Sequence, residues 1–116
     1  MKKATLQFAL SLALLCTASN AWAKAAKCEI SSSGEYYVSK CNFQSESGGS
    51  FSLSNLNESR TIISNILIIS VYVTQKNVAE VRGLTTDGIN SRWGQAIRST
   101  TDRACWVGDD FEICAR

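Results

Sequence analysis

The sequence has no histidine and no proline, and its charges nearly balance, with 12 lysines and arginines against 10 acidic residues. Without histidine, the commonest general base and the commonest metal ligand are both missing, and no imidazole could activate a serine or cysteine nucleophile. The charge balance argues against the basic surface typical of nucleic-acid binding. The lack of proline means only that no sheet edge is protected by that residue. These absences argue against the common classes of hydrolytic and metal-dependent enzyme.

The first 23 residues predict an export signal. Lys2 and Lys3 form a short basic start, and an apolar run follows over residues 6–18. Ala21 and Ala23 occupy the two small-residue positions that signal peptidase reads, so we expect cleavage after Ala23. The apolar run is too short for a permanent transmembrane helix, so no membrane span is expected after processing. The pattern is typical of a bacterial protein of the periplasm or the medium.

Residues 24–116 then form one small domain with balanced charge, because Lys2 and Lys3 leave with the signal and ten basic residues face ten acidic ones. Cys16 is also removed. An even number of cysteines in a short exported chain indicates two disulfides. The four that remain are Cys28, Cys41, Cys105 and Cys114.

The cysteine spacing favours a Cys28–Cys41 disulfide across a β-hairpin. With Gly34-Glu35 as a two-residue type II′ loop, Cys28 faces Cys41 at a non-hydrogen-bonded position, where Cα atoms come close enough for a disulfide. The same register places Glu29 opposite Lys40 as an ion pair.

A second hairpin around Asp109-Asp110 gives Cys105–Cys114 the same favourable position. Its apolar face would carry Trp106, Phe111 and Ile113. The crossed pairings, which would tie the two ends of the domain together, remain alternatives.

The middle of the chain also has the character of β-strands. Residues 50–54 alternate polar and apolar side chains, and the β-branched stretch 62–73 predicts a central strand with residues 78–84 as its hairpin partner. Asp87-Gly88 indicates a turn, whereas residues 91–98 fit either a short helix or a short strand. The expected fold is all-β, with six or seven antiparallel strands in a meander closed toward a barrel or in a small sandwich.

The acidic residues do not form a convincing catalytic or metal-binding pattern. Asp109 and Asp110 at a hairpin tip, with Glu112 nearby, offer too few oxygen ligands for calcium. Three other carboxylates could in principle serve a glycosidase, but their spacing does not favour a catalytic pair; they are Glu80, Asp87 and Asp102. We therefore expect no enzyme activity, no metal and no cofactor.

A binding surface has better support. Arg92 and Trp93 are adjacent, Arg98 and Arg103 follow shortly after, and arginine and tryptophan are typical interface anchors. The alternative interpretation is that Trp93 and Trp106 are core aromatics and that the arginines solvate the rim of the barrel.

Four short segments resemble a group of small exported bacterial proteins of unassigned activity. They are Cys41-Asn42-Phe43, Gly48-Gly49-Ser50-Phe51, Ala104-Cys105-Trp106-Val107 and Ile113-Cys114-Ala115. The overall plan, a cysteine-stapled exported β-domain with a late tryptophan segment, is more loosely similar to the periplasmic lysozyme inhibitors. That similarity implies a small antiparallel barrel that inserts a loop into the cleft of an enzyme. It supplies no catalytic residue.

The leading hypothesis is a non-catalytic periplasmic or secreted domain that binds another protein of the envelope or outside the cell. Its most specific form is an inhibitor of an envelope-targeting hydrolase such as lysozyme. The alternative is a structural or assembly subunit of a secreted or surface complex, with the isoleucine-rich strand offering an edge for pairing. No nucleic-acid partner is expected.

Overall fold

Eight antiparallel strands form a closed barrel in the computed structural model, which describes residues 22–116. Each strand pairs with the next along the chain, and the last closes on the first, so the expected meander is confirmed with slightly more strands than predicted. The strands are β1 (Trp22–Ser32), β2 (Glu35–Ser45), β3 (Phe51–Ser54), β4 (Ile66–Gln75), β5 (Val78–Thr85), β6 (Asn90–Arg98), β7 (Cys105–Val107) and β8 (Phe111–Ala115).

The interior of the barrel follows the two-residue period of its strands. On β5, for example, every second residue from Ala79 to Thr85 is buried, because successive side chains of a strand point to opposite faces. Ile30, Leu53, Ile69 and their neighbours fill the centre. All core residues lie in the range 26–115, so a product cleaved after Ala23 would keep the whole core.

The predicted signal segment falls almost wholly on residues 1–21, outside the described residues. β1 begins at Trp22, two residues before the expected mature N-terminus. Within residues 22–116, no helix is long and apolar enough to cross a membrane.

In the C-terminal hairpin, each predicted pair of opposite residues is confirmed. Cys105 faces Cys114, Trp106 faces Ile113, and the Cys105–Cys114 disulfide joins Cα atoms 4.0 Å apart. Gly108 donates its backbone N–H to the Phe111 carbonyl at 2.8 Å, which leaves Asp109-Asp110 as the loop. Phe111 and Ile113 are buried with Trp106, as the apolar face requires.

The N-terminal hairpin has the predicted disulfide but a different register. Cys28 pairs with Ser39, and Ala26 pairs with Cys41, so the two cysteines are diagonal neighbours with Cα atoms 5.8 Å apart. The loop is Ser33-Gly34, not Gly34-Glu35. Both loop residues have positive φ, 51° and 87°, which is the type I′ geometry and not the predicted type II′.

The register shift also removes the predicted ion pair between Glu29 and Lys40. Glu29 stands opposite Val38, and Lys40 stands opposite Lys27. The Glu29 carboxylate instead binds Arg116, at 2.9 Å between Oε1 and Nη2. The chain's last residue thereby ties β1 to the end of β8.

Two predictions for the middle of the chain need correction or completion. The central strand begins at Ile66 and not at residue 62, because residues 63–66 make a tight turn with Ser64 at a φ of 48°. Ile62 and Ile63 are nevertheless buried, so their apolar character serves the core. Residues 91–98, left open between helix and strand, belong to β6.

β4 does not offer the free edge on which the assembly hypothesis drew. It pairs with β3 through Ile68–Val71 and with β5 along most of its length. Barrel closure therefore uses both sides of this strand.

Candidate functional site

One end of the barrel holds a cavity of about 450 Å³, and we call this end the open end. It is formed where three connections meet: residues 46–50 between β2 and β3, residues 76–77 between β4 and β5, and residues 99–104 between β6 and β7. An up-and-down barrel brings these connections together because alternate turns share one end. The first and last strands also reach this end, with Ala115 in the cavity wall.

Aromatic side chains line the inner part of the cavity. Phe43 and Phe51, on the adjacent strands β2 and β3, stack with ring centroids 5.0 Å apart. Trp106 joins them from β7 and is only 4% exposed. Val73 adds an aliphatic wall. These side chains give the cavity an apolar lining continuous with the core.

Basic side chains surround the mouth of the cavity. Arg98 ends β6, lies over the Trp106 ring at 5.3 Å, and donates its Nε–H to the Arg103 carbonyl at 2.8 Å. Arg103 reaches the Asn77 side-chain oxygen at 3.5 Å, and Lys76 is exposed in the neighbouring turn. None of the ion pairs found in residues 22–116 involves these three cations.

The loop that carries Arg103 is held by Asp102 and Arg116. Asp102 accepts the Ala104 backbone N–H at 3.2 Å and binds the Arg116 guanidinium, with Oδ2 and Nη1 2.9 Å apart. The Ala104 hydrogen bond, followed by the Arg116 contact, lowers the pKa of Asp102 below its usual range. Glu29 and then Asp102 raise the pKa of Arg116 further. This network anchors the loop across β1, β8 and the open end.

The structure separates the four predicted binding residues into two pairs. Arg98 and Arg103 line the cavity together. Arg92 is exposed on the outer face of β6 and forms an ion pair with Glu80. Trp93 is half-buried, packs against the core and meets Phe111 edge to face with centroids 5.5 Å apart. For Trp93 the structure therefore favours the core interpretation.

Sequence reasoning missed Lys76, Phe43 and Phe51. They are far from Arg98 in the sequence, and only closure of the barrel brings them to the same cavity. The available signals were Lys76, a basic residue in a predicted turn, and the presence of Phe43 and Phe51 in two of the segments that carry the resemblance to exported proteins.

The carboxylates considered for catalysis are engaged separately. Glu80 binds Arg92, Asp87 accepts the Thr85 hydroxyl at 2.6 Å, and Asp102 binds Arg116. Among the described residues, one group of three possible metal ligands comes together at Cys105, Glu112 and Cys114. Its two sulfurs are bonded to each other, so the group offers a single carboxylate.

The open end is thus the one place where predicted binding residues, an apolar cavity and unpaired cations coincide in the part of the chain that the structure describes. No protein-family model, curated protein or solved structure matches the chain, so neither the fold nor the site carries a function over from a relative.

Proposed function

We propose that the protein is a non-catalytic binding domain of the periplasm or the extracellular space and that it binds another protein through the open end of the barrel. The observation that carries this proposal is the ring of Lys76, Arg98 and Arg103 around an apolar cavity, with no carboxylate among the described residues of the cavity wall. Cations that are not used in internal ion pairs remain available to a partner. Electrostatic complementarity of this kind speeds association and selects acidic partners.

The most specific form of the proposal is inhibition of a peptidoglycan hydrolase such as lysozyme. Glycoside hydrolases usually carry two carboxylates on either side of the bond they cleave. Lys76 and Arg103 lie in a turn and a loop that project from the barrel end, so they are placed to enter an acidic cleft. This arrangement supports an inhibitor whose basic end blocks the substrate cleft.

A titration tests this function. The oxidised domain, residues 24–116, is titrated against a panel of purified lysozymes and other peptidoglycan hydrolases, and both binding and hydrolysis are measured. We expect tight binding to at least one enzyme, with loss of its activity. Silence across the panel would overturn the inhibitor proposal.

Charge reversal tests the surface. A Lys76→Glu/Arg103→Glu variant should bind at least about tenfold more weakly, because two attractive charges become repulsive. Arg60→Glu is the matched control, since Arg60 is an exposed arginine in the loop between β3 and β4 and is not part of the cavity wall. Equal affinity of the reversed variant and the control would show that the open end is not the interface.

The assembly alternative has one observation in its favour. β8 pairs with β1 along Cys28–Ser32, and the Arg116 N–H donates to the Lys27 carbonyl at 2.9 Å. In the domain of residues 24–116, the β8 side of residues 24–26 therefore has no described strand beside it. A free edge of this kind can accept a strand from another chain. Size-exclusion chromatography with light scattering separates the two functions, because a stable oligomer supports assembly and a monomer supports the binding domain.

A further inference from the structure

The open-end cavity has the size and lining of a small-molecule site. Its volume of about 450 Å³ lies inside the usual range for ligand pockets, roughly 300–1,000 Å³. Side chains fill the centre of this eight-stranded barrel, so the space for a ligand is the cavity at its open end. Here the inner wall is apolar and the polar groups stand at the mouth, which is the arrangement that orients an amphipathic molecule.

The cations lie at the boundary between the apolar wall and water. Arg98 covers one aromatic wall, Trp106, at 5.3 Å. Lys24 covers another, with its Nζ 5.6 Å from the centre of the Phe43 ring. An anionic group entering beside an aromatic ring would meet a guanidinium or an ammonium there, and charge-assisted hydrogen bonds are the stronger kind.

Among the described residues, no ion pair engages the cations at the mouth of the cavity. Within residues 22–116, no acidic residue lines the cavity. Of the two acidic residues in the connections at this end, Asp102 is bound to Arg116, and Glu46 is exposed in the 46–50 connection and is not part of the cavity wall. A neutral or cationic ligand would leave Arg98 and Arg103 without a counter-charge, whereas an anion would satisfy both.

We propose that this cavity binds a small amphipathic carboxylate, with its aliphatic or aromatic body among Phe43, Phe51 and Trp106 and its carboxylate at Arg98 and Arg103. The site uses part of the surface assigned above to a protein partner, but the inference does not depend on that partner. A ligand of this class would also compete with any protein that inserts an acidic group into the same mouth.

Octanoate is the probe, and the two tryptophans of the oxidised domain report its position. After cleavage behind Ala23 the domain keeps Trp93 and Trp106, and only Trp106 lines the open-end cavity. In ¹⁵N-labelled protein, octanoate should shift the indole signal of Trp106 and leave that of Trp93 in place. A Trp93→Phe variant assigns the two signals.

Two matched compounds test the two halves of the ligand. Octylammonium has the same chain with the opposite charge, and acetate has the charge without the chain. We expect each to bind at least about tenfold more weakly than octanoate, because each lacks one of the complementary contacts. Equal binding of octylammonium would overturn the charge assignment, and equal binding of acetate would overturn the role of the apolar wall.

Substitutions test whether Arg98 and Arg103 bind the carboxylate. Arg103→Gln should weaken octanoate binding, and Arg98→Gln/Arg103→Gln should weaken it further, to about a tenth or less. Arg60→Gln, which changes an exposed arginine outside the cavity wall, should bind octanoate as the parent does. Thermal unfolding of each variant checks that the barrel is intact, and Arg103→Gln keeps the test valid if loss of Arg98 from the Trp106 face disturbs folding.

The outcomes are distinct from those of the hydrolase titration, because no enzyme is present. No shift of Trp106 up to the solubility limit, or a shift of Trp93 instead, would overturn the small-molecule site and leave the protein-binding proposal standing. Binding of octanoate without binding of any enzyme in the hydrolase panel would support the small-molecule site and overturn the inhibitor proposal.

Discussion

Gly83 and Trp93 form a contact that leaves no room for a methyl group. A Cβ on Gly83 would lie 2.9 Å from the Trp93 Nε1 and 3.1 Å from the Ile66 Cδ1. The backbone of Gly83 is not in the left-handed region, so the constraint is steric alone. The Trp93 indole packs closely on the Gly83 backbone, and this contact places Trp93 against the core although its neighbour Arg92 is exposed.

This contact predicts the effect of Gly83→Ala. We expect a loss of about 1–3 kcal/mol in the free energy of unfolding, because the ring has to shift within a packed core. A double-mutant cycle with Trp93→Phe, measured by urea unfolding, should recover part of that loss, by about 0.5 kcal/mol or more. A Gly83→Ala variant as stable as the parent would show that the indole is not held where the structure places it.

Asp102 gives the fold a pH dependence. Its pKa is lowered by the Ala104 N–H and by Arg116, so the folded state favours the carboxylate. The resulting stability is fully present above the usual carboxyl pKa and is lost as the pH falls through the lowered one. Asp102→Asn keeps an acceptor for the Ala104 N–H but removes the charge. We therefore expect it to lower the melting temperature at neutral pH.

The pH profile provides the check on Asp102. The difference in melting temperature between parent and Asp102→Asn should begin to shrink as the pH falls below the usual carboxyl pKa of about 4, where the unfolded chain becomes protonated, and should close as the pH falls through the lowered pKa of the folded state. A difference that stays constant down to about pH 2 would mean that the charge of Asp102 contributes nothing and that the substitution acts through packing.

At the scale of the element, the two disulfides stabilise different parts of the barrel. Cys28 and Cys41 are fully buried and belong to the core. Cys105 and Cys114 alternate with the inward-facing Trp106 and Ile113, so their bond lies on the outer face of the last hairpin, although neighbouring side chains bury it as well. The first bond therefore combines a covalent link with packing in the core of the barrel, whereas the second is a covalent link covered on the outer face, outside the core cluster.

Paired alanine substitutions should reveal this difference. Loss of either bond costs about 3 kcal/mol through the chain entropy of the unfolded state. Cys28→Ala/Cys41→Ala should cost about 1–2 kcal/mol more, because it also empties space in the core. Urea unfolding under oxidising conditions measures both variants. The opposite order of stability would contradict the interior position of the first disulfide.

The two hairpins also show what cysteine spacing could and could not predict. For Cys105–Cys114, counting outward from a two-residue loop at Asp109-Asp110 places the two cysteines directly opposite each other. The sequence therefore favoured the pairing that the structure shows. For Cys28–Cys41 the partner was right and the register wrong. A disulfide can join diagonal neighbours, and Ser33 adopts a positive φ that the sequence signals only weakly.

At the scale of the molecule, barrel closure determines which residues meet. Arg98 and Arg103 were found from the sequence because they are near each other in the chain and at the same barrel end. Arg92 and Trp93 were grouped with them by sequence distance alone, although neighbours on a strand face opposite sides. Phe43 also lines the cavity, and it could not be assigned to this site without knowing which strands become neighbours.

The connections at the two ends of the barrel also differ in charge. Those at the open end contribute Lys76 and Arg103, beside Arg98, together with the exposed Glu46 and with Asp102, which is bound to Arg116. At the opposite end the short connections carry three acidic residues, Asp87, Asp109 and Asp110, and no basic one. The long connection between β3 and β4 carries both Arg60 and Glu58, and Glu58 accepts the Asn42 side-chain amide on β2 at 2.9 Å. The balanced overall charge therefore conceals a separation of charge that would orient an acidic partner toward the open end.

The central claim is that the open end is the binding surface of this protein, and chemical-shift mapping tests it most directly. ¹⁵N-labelled domain, residues 24–116, is titrated with each enzyme of the hydrolase panel. The account predicts that at least one enzyme binds and that the shifted amide signals fall on residues 46–50, 76–77 and 98–104. Shifts confined to the acidic end, or to the exposed outer face around Tyr36 and Val38, would contradict it.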